Sequence, residues 1–261
     1  MDGVFIGLSM NHAIGDGSSF WQFLNSLSEI FNSQEETTNN KLLRLKNPPI
    51  FREGSGPICS LPISRHDESI RRTEPLVWKE RIFHFSYETV RYLKSKANQE
   101  CGTTTISYFQ SLIAFVWRSI TKARKLSNDQ DNTCRLAAGN RSRMDPPLHM
   151  NTFGVYVSLV KTTAKTGNLL ENGFGWAALK LHQAVTQQTD EKISSDMDRW
   201  LKSPSNLRFF DANVVHVGSS PWFNKYGSEF GMGKAVAVRS GYGNKVDGKV
   251  SAFPEEKVEE A

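Results

Sequence analysis

The sequence is organised around a glycine-flanked turn that joins a short apolar segment to an amphipathic helix. Residues 4–8 have the length and the β-branched content of a buried strand. Large apolar residues then recur at helical spacing and predict a helix that begins near Gly17: Phe20, Phe23, Leu24, Leu27, Ile30 and Phe31. His12 is therefore expected at a strand end, in a loop held between two regular elements. Reactive side chains are commonly placed in such loops.

The residues alone leave two interpretations of His12 open. An imidazole titrates near neutral pH without tuning, so His12 can serve as a general base if a substrate proton reaches it. A histidine beside a strand is also a common hydrogen-bonded structural residue. Asp16 precedes the predicted helix and is equally an N-cap, where aspartate is worth roughly 0.5–2 kcal/mol over alanine. No cluster of histidine, cysteine or carboxylate residues has metal-ligand spacing, so we expect no metal site.

Composition argues against several classes of partner and location. No run reaches the roughly 18 apolar residues of a membrane span, so we expect no membrane partner. The three cysteines, Cys59, Cys101 and Cys134, are unpatterned and predict reduced thiols in a cytoplasmic protein. The net charge is only +5 and the basic residues are scattered, which argues against nucleic acid as a partner.

Breaker residues divide the sequence into three parts. Residues 48–78 have little periodicity and contain Pro48, Pro49, Pro57 and Pro62, which predicts a long connection. We therefore predict a first domain over residues 1–47, a crossover linker over 48–78 and a second domain over 79–261. The mixture of strands and helices favours the α/β class.

The second domain carries clear helix signals. Ser86 is expected to cap a helix that Gly102 ends, and Ser107 with Gln110 forms a capping box for a deeply buried helix. Two more helices are predicted over residues 175–187 and 190–201. Strands are predicted over residues 81–85, 135–138, 153–160, 209–217 and 235–239.

Four segments, in the same order, make the sequence similar to the plant BAHD acyltransferases, which move an acyl group from coenzyme A to a hydroxyl or an amine. His12-Ala-Ile-Gly-Asp16-Gly17 resembles their H-x-x-x-D-G signature. Residues 105–118 resemble their central helix, and residues 140–148 followed by Phe153-Gly154 resemble their arginine–proline segment. Residues 218–234 resemble the stretch that contains their D-F-G-W-G motif.

The resemblance implies a fold and a reaction. The fold would be the two-lobed, chloramphenicol-acetyltransferase-like α/β fold, with most of the first lobe missing. His12 would take the acceptor's proton and return it to the departing thiolate, without a nucleophilic serine or cysteine. Asp16 would be held by an arginine and would fix the loop, with Arg141, or failing that Arg143, as its partner.

The resemblance also implies which residues meet the co-substrate. Thr105, Ser107 and Arg143 would bind acyl-CoA, although helix capping explains Ser107 equally well. No permanently bound cofactor is implied. The partners would be acyl-CoA and a small specialised metabolite of a plant, and the full-length protein would be a monomer.

Two departures bear on this interpretation. The D-F-G-W-G motif reads Glu229-Phe230-Gly231-Met232-Gly233, so a methylene is added and an indole N–H donor is lost. In the family this motif is mainly structural and distant from the histidine. The histidine motif also comes much earlier than in family members, and residues 255–261 form a charged tail, which suggests a form shortened at both ends. The alternative function is therefore a catalytically inactive remnant, or a fragment that depends on a partner chain.

Overall fold

The fold is a mixed sheet with helices packed on one face, as the α/β prediction requires. The structure, a computed structural model, describes residues 3–33, 79–203, 213–241 and 246–254. The predicted linker over residues 48–78 and the charged tail lie outside the described residues, as does part of the strand predicted over 209–217.

Ten regular elements follow one another along these ranges. The helices are α1 (Gly17–Asn32), α2 (Tyr87–Cys101), α3 (Tyr108–Arg124), α4 (Thr166–Glu171), α5 (Gly173–Thr186) and α6 (Asp190–Lys202). The strands are β1 (Asp131–Gly139), β2 (Val157–Lys165), β3 (Val214–Ser219) and β4 (Lys249–Ser251). Each of the four long helices expected from the second part of the sequence is present, and the short α4 is the helix that the pattern did not predict.

Local capping explains where several helices begin and end. Asp16 accepts a hydrogen bond from the Ser19 backbone N–H and caps α1. The predicted capping box of Ser107 and Gln110 is present at the start of α3. Gly102 ends α2 with a φ of 60°, a left-handed conformation that glycine adopts without steric cost.

The sheet has the strand order β2-β1-β3-β4, in which β2 is antiparallel to β1 while β3 and β4 are parallel to their neighbours. Side chains of β1 alternate between a buried and a more exposed face, and Cys134 and Leu136 pair with Val215 and Val217 on the buried face. Helices α2, α3 and α5 pack together over this face, with Trp117 fully buried at the centre. The core of the described structure therefore belongs to the part of the chain after residue 79.

Three predicted strands are wrong. Residues 4–8, 81–85 and 235–239 form no strand in the structure. Phe5 is fully exposed, and Ile82 is 79% exposed. A strand needs a neighbouring strand to pair with its backbone N–H and C=O groups, and no neighbour pairs with these segments among the described residues. The strand predicted over 153–160 begins later, at Val157, because the preceding residues turn toward α1.

Candidate active site

His12 lies in a tight turn before α1. The Asn11 side chain shapes this turn, because its Oδ1 accepts the Ala13 N–H at 2.9 Å and its backbone carbonyl accepts the Ile14 N–H at 3.1 Å. His12 is exposed, and no described residue forms a hydrogen bond with its imidazole. The described contacts therefore do not support a hydrogen-bonded structural role for the ring. The residue as a whole is open to solvent.

Asp16 anchors this turn from inside the protein. The Arg141 guanidinium grips its carboxylate in a bidentate manner, with Nη1 donating to Oδ2 at 2.6 Å and Nη2 donating to Oδ1 at 3.1 Å. The backbone N–H of Ser19 donates to Oδ1 at 3.0 Å, and that of Tyr156 donates to Oδ2 at 3.0 Å. Burial by itself would raise the pKa of the Asp16 carboxyl, but these four hydrogen bonds and the charge of Arg141 outweigh it and lower that pKa. Asp16 is therefore a carboxylate fixed in place.

The side chain of Arg141 is also buried and held by several contacts besides Asp16. Its side chain is 3% exposed, and Nε and Nη2 donate to the Thr152 carbonyl at 3.0 and 2.9 Å. Its guanidinium carbon lies 4.8 Å from the centre of the Tyr156 ring. The predicted contact between Asp16 and Arg141 is present, and Arg143 does not take part in it. The planar, bidentate geometry is one that a lysine could not reproduce.

Gly154 joins the segment after Arg141 to the first turn of α1. Its carbonyl accepts the Asp16 N–H at 3.0 Å, and its own N–H donates to Ser19 Oγ at 3.0 Å. The φ of Gly154 is 144°, and a Cβ there would lie 2.8 Å from the Tyr156 ring. Glycine is required here by both backbone conformation and space. Ser19, Thr152 and Tyr156 were not singled out from the sequence, because their partners are far away along the chain.

The predicted acyl-CoA residues gather around the C-terminal end of α5. Thr105 Oγ1 lies 3.2 Å from His182 Nε2, and Gln110 Oε1 accepts from His182 Nδ1 at 3.2 Å and from the Ser107 N–H at 2.9 Å. Arg143 donates to the Gly139 carbonyl at 3.0 Å. These contacts account for all three side chains structurally, so their role in binding acyl-CoA stays a prediction. His182, to which the sequence assigned no role, connects Thr105 to Gln110 and so to the capping box of Ser107. Arg143 meets the same helix end separately, by donating to the Val185 carbonyl at 3.4 Å.

The stretch from Glu229 to Gly233 packs on the far end of α1. Glu229 exchanges hydrogen bonds with the Ser28 hydroxyl, and the Phe230 ring meets Phe31 edge-on at 5.7 Å. Gly231 and Gly233 have φ angles of 71° and 80° within the turn. Ser28 lies roughly 18 Å along the helix from Asp16 at 1.5 Å per residue, so this motif supports α1 rather than His12. Met232, in place of the tryptophan of the D-F-G-W-G motif that this stretch resembles, is 56% exposed.

The described part of the chain shows no metal site, no membrane-spanning helix and no exposed cysteine nucleophile at Cys134. Within those ranges, no three histidine, cysteine or carboxylate side chains group closely enough to hold a metal ion. No helix there is both long and apolar enough to cross a membrane. Cys134 is fully buried, and burial raises the pKa of its thiol, which argues against a nucleophilic role.

Comparison with known proteins identifies the family. The model of the Transferase family matches residues 1–261. The chain belongs to the BAHD transferase family. It is 36% identical to an uncharacterized acetyltransferase of Arabidopsis thaliana, over 97% of the chain and 58% of that relative. The BAHD acyltransferase DCR of the same plant is 33% identical, over 97% of the chain and 54% of that relative. The BAHD chain therefore spans a little over half the length of these relatives.

Solved structures agree on the fold. Vinorine synthase aligns with a TM-score of 0.56 at 19% identity, over 87% of this BAHD chain and 50% of its own chain. TRI101 of F. graminearum, in complex with coenzyme A and deoxynivalenol, aligns with a TM-score of 0.59 at 19% identity, over 66% and 41% of the two chains. At this level of identity the likeness shows the fold alone.

Proposed function

We propose that this chain carries the general base of an acyl-CoA-dependent acyltransferase that acylates a hydroxyl or an amine of a small plant metabolite. The observation that carries the proposal is the contrast within residues 12–16. Asp16 is buried and accepts four hydrogen bonds, whereas His12 is exposed on the turn that Asp16 fixes. A general base needs this combination of a fixed backbone and an accessible titrating group.

The chemistry assigns different roles to the two residues. Asp16 has no capacity left to take a proton, because both oxygens are occupied by N–H donors and its pKa is lowered. His12 would remove the proton from the acceptor while the acceptor's oxygen or nitrogen forms a bond to the thioester carbonyl carbon. The carbon–sulfur bond then breaks, and the imidazolium returns its proton to the thiolate of coenzyme A. Arg141 is a positioning residue, because it binds Asp16 and thereby fixes the turn that carries His12.

The names of relatives support this class of substrate. Shikimate O-hydroxycinnamoyltransferase of Nicotiana tabacum is 25% identical over 92% of the chain, and anthranilate N-benzoyltransferase protein 2 of Dianthus caryophyllus is 30% identical over 83%. One name indicates transfer to oxygen and the other transfer to nitrogen, which is why the proposal covers both kinds of acceptor. Thr105, Ser107 and Arg143 are the residues we propose for acyl-CoA, which is a co-substrate.

A thiol-release assay tests the proposal. Purified chain is incubated with acetyl-CoA or a hydroxycinnamoyl-CoA and a panel of alcohols and amines, and free coenzyme A thiol is followed over time. We expect acceptor-dependent release that falls by about 10²–10⁴-fold in His12→Gln, the usual contribution of general base catalysis. His149→Gln is the matched control, because His149 is also exposed but lies outside the turn.

The controls decide between catalysis and an inactive remnant. Circular dichroism first shows that each variant keeps the fold of the parent chain. Equal rates for the parent and His12→Gln would refute the role of His12. A folded parent that releases no thiol with any acceptor would instead favour the inactive remnant.

A further inference from the structure

The first residue of α1 is in close contact with an aromatic ring from a distant part of the chain. Gly17 follows Asp16 directly and begins the helix. A Cβ placed on Gly17 would lie 2.9 Å from both Cε2 and Cζ of the Phe223 ring. The backbone of Gly17 is helical, without a positive φ, so this close approach rather than backbone conformation requires glycine here.

The segment that carries Phe223 is tied to the sheet. Lys225 Nζ lies 6.0 Å from the centre of the Phe223 ring, at the limit of a cation–π contact. The same nitrogen donates to Ser219 Oγ and to the Ala252 carbonyl, both at 2.7 Å. Ser219 ends β3 and Ala252 directly follows β4, so Lys225 connects the segment to two strands. The half-buried Phe223 ring therefore links the sheet to the start of α1.

Other contacts of this segment meet α1 further from its first residue. The Asn224 carbonyl accepts from Asn25 Nδ2 at 3.2 Å. Glu229 exchanges hydrogen bonds with the Ser28 hydroxyl. Asn25 already lies about 12 Å along the helix from its first residue at 1.5 Å per residue. Of these contacts, the one made by Phe223 is the nearest along the chain to His12.

We propose that Phe223 is a positioning residue for the turn that carries His12. The hydrogen bonds of Asp16, including its N–H to the Gly154 carbonyl at 3.0 Å, hold the turn at one point. A turn held at one point can still rotate about it. The ring on Gly17 supplies a second point, from a different part of the chain, and restricts that rotation. The effect on catalysis rests on the proposed function, whereas the contact itself does not.

A double-mutant cycle in the thiol-release assay tests this role. Gly17→Ala places a methyl group against the ring, and we expect kcat to fall by at least about tenfold, because a small misplacement of a catalytic group can cost 10²-fold. Phe223→Ala should also lower kcat. In the Phe223→Ala background the methyl group meets no ring, so adding Gly17→Ala should change kcat by less than about twofold.

Phe230→Ala is the matched control for the cycle. Its ring contacts Phe31 at the far end of the same helix, with the ring centres 5.7 Å apart. Combined with Gly17→Ala, it should give the product of the two single effects, because the two positions lie at opposite ends of α1. An unchanged kcat in Gly17→Ala, or the same loss with and without the Phe223 ring, would overturn the inference.

The Michaelis constants distinguish positioning from a general structural defect. Thr105 and Arg143 make their hydrogen bonds around α5 rather than α1. We therefore expect the KM for acyl-CoA to stay within about twofold of the parent while kcat falls. A KM that rises in parallel with the loss of kcat would count against a role confined to the His12 turn.

Amide hydrogen exchange measures the same contact without catalysis. The Ile14 N–H donates to the Asn11 carbonyl, and the Asp16 N–H donates to the Gly154 carbonyl. Both amides should exchange at least about tenfold faster in Gly17→Ala than in the parent, while amides around the buried Trp117 keep their protection. Equal loss of protection in the core would indicate unfolding instead and would contradict the inference.

The two measurements keep this inference apart from the proposed function. Coupling between positions 17 and 223 in hydrogen exchange, in a parent chain that releases no thiol, would contradict the proposed function and leave the positioning of the turn standing. Thiol release that depends on His12 but shows no coupling between these positions would contradict the positioning role alone.

Discussion

Lys225 is a buried cation without an acidic partner among the described residues. Its burial predicts how the free energy of unfolding changes with pH. The residue is 3% exposed, and its Nζ donates to Ser219 Oγ and to the Ala252 carbonyl, both at 2.7 Å. The Phe253 ring lies 4.0 Å from the same nitrogen. Burial lowers the pKa of Lys225 from 10.5 to about 8, because the charged form loses hydration that two neutral acceptors and a ring replace only in part.

The sign of the effect follows from proton binding. Between pH 8 and 10.5 the unfolded chain keeps the Lys225 proton while the folded chain has lost it, so this residue makes the free energy of unfolding rise with pH in that window. At about 1.4 kcal/mol per tenfold change in proton concentration, the rise from pH 7 to pH 9.5 is about 2 kcal/mol. Lys225→Met keeps an unbranched side chain and removes the titration.

The measurement compares, at two pH values, the difference in free energy of unfolding between the parent and the variant. Urea unfolding of the parent and of Lys225→Met at pH 7 and at pH 9.5 gives the stability gap between them at each pH, so that the titrations of all other residues cancel. We expect the gap to move by about 2 kcal/mol in favour of the parent at the higher pH. Lys96→Met, at a lysine whose side chain is 44% exposed, should show no such movement. A gap that is the same at both pH values would refute the buried position of this amine.

Three further substitutions test the framework of the site. Asp16→Asn leaves the buried Arg141 without its counter-ion and should cost about 3–5 kcal/mol in urea unfolding; a loss below 1 kcal/mol would mean that the pair is not held as described. Gly154→Ala should lower the melting temperature, since φ is 144° and the Tyr156 ring occupies the space of the new methyl; an unchanged melt would contradict this geometry. Ser107→Ala should cost about 1 kcal/mol as a lost N-cap, and a raised KM for acyl-CoA in the same variant would reveal a second role that an unchanged KM would exclude.

Local signals in the sequence were sufficient for most helices. Ser86, Gly102 and the box of Ser107 with Gln110 were predicted from neighbours within a few residues, and each appears in the structure. Capping works this way because donor and acceptor lie in the same turn of chain. The contact of Asp16 with Arg141 came from the family resemblance, since nothing local connects residues so far apart in the sequence.

Strands were the weaker predictions for a physical reason. Residues 4–8, 81–85 and 235–239 have suitable side chains, yet none becomes a strand in the described structure. The strand at 131–139 forms because β2 and β3 pair with its two edges. The pattern of side chains predicts which residues a strand would bury. Whether a strand forms depends on a neighbouring strand that pairs with its backbone, and only the tertiary structure supplies that neighbour.

Helix α1 shows most clearly which features the sequence determines and which depend on the tertiary structure. The spacing of its apolar residues determined that it is a helix, where it starts and which side chains share a face. It did not determine which face meets the protein, because that depends on Gly154, Asn224 and Glu229, whose backbone groups bond the polar face from distant parts of the chain. A helical period is set by bonds between near neighbours, whereas the side that packs inward is set by the shape and polarity of what the rest of the chain brings against it.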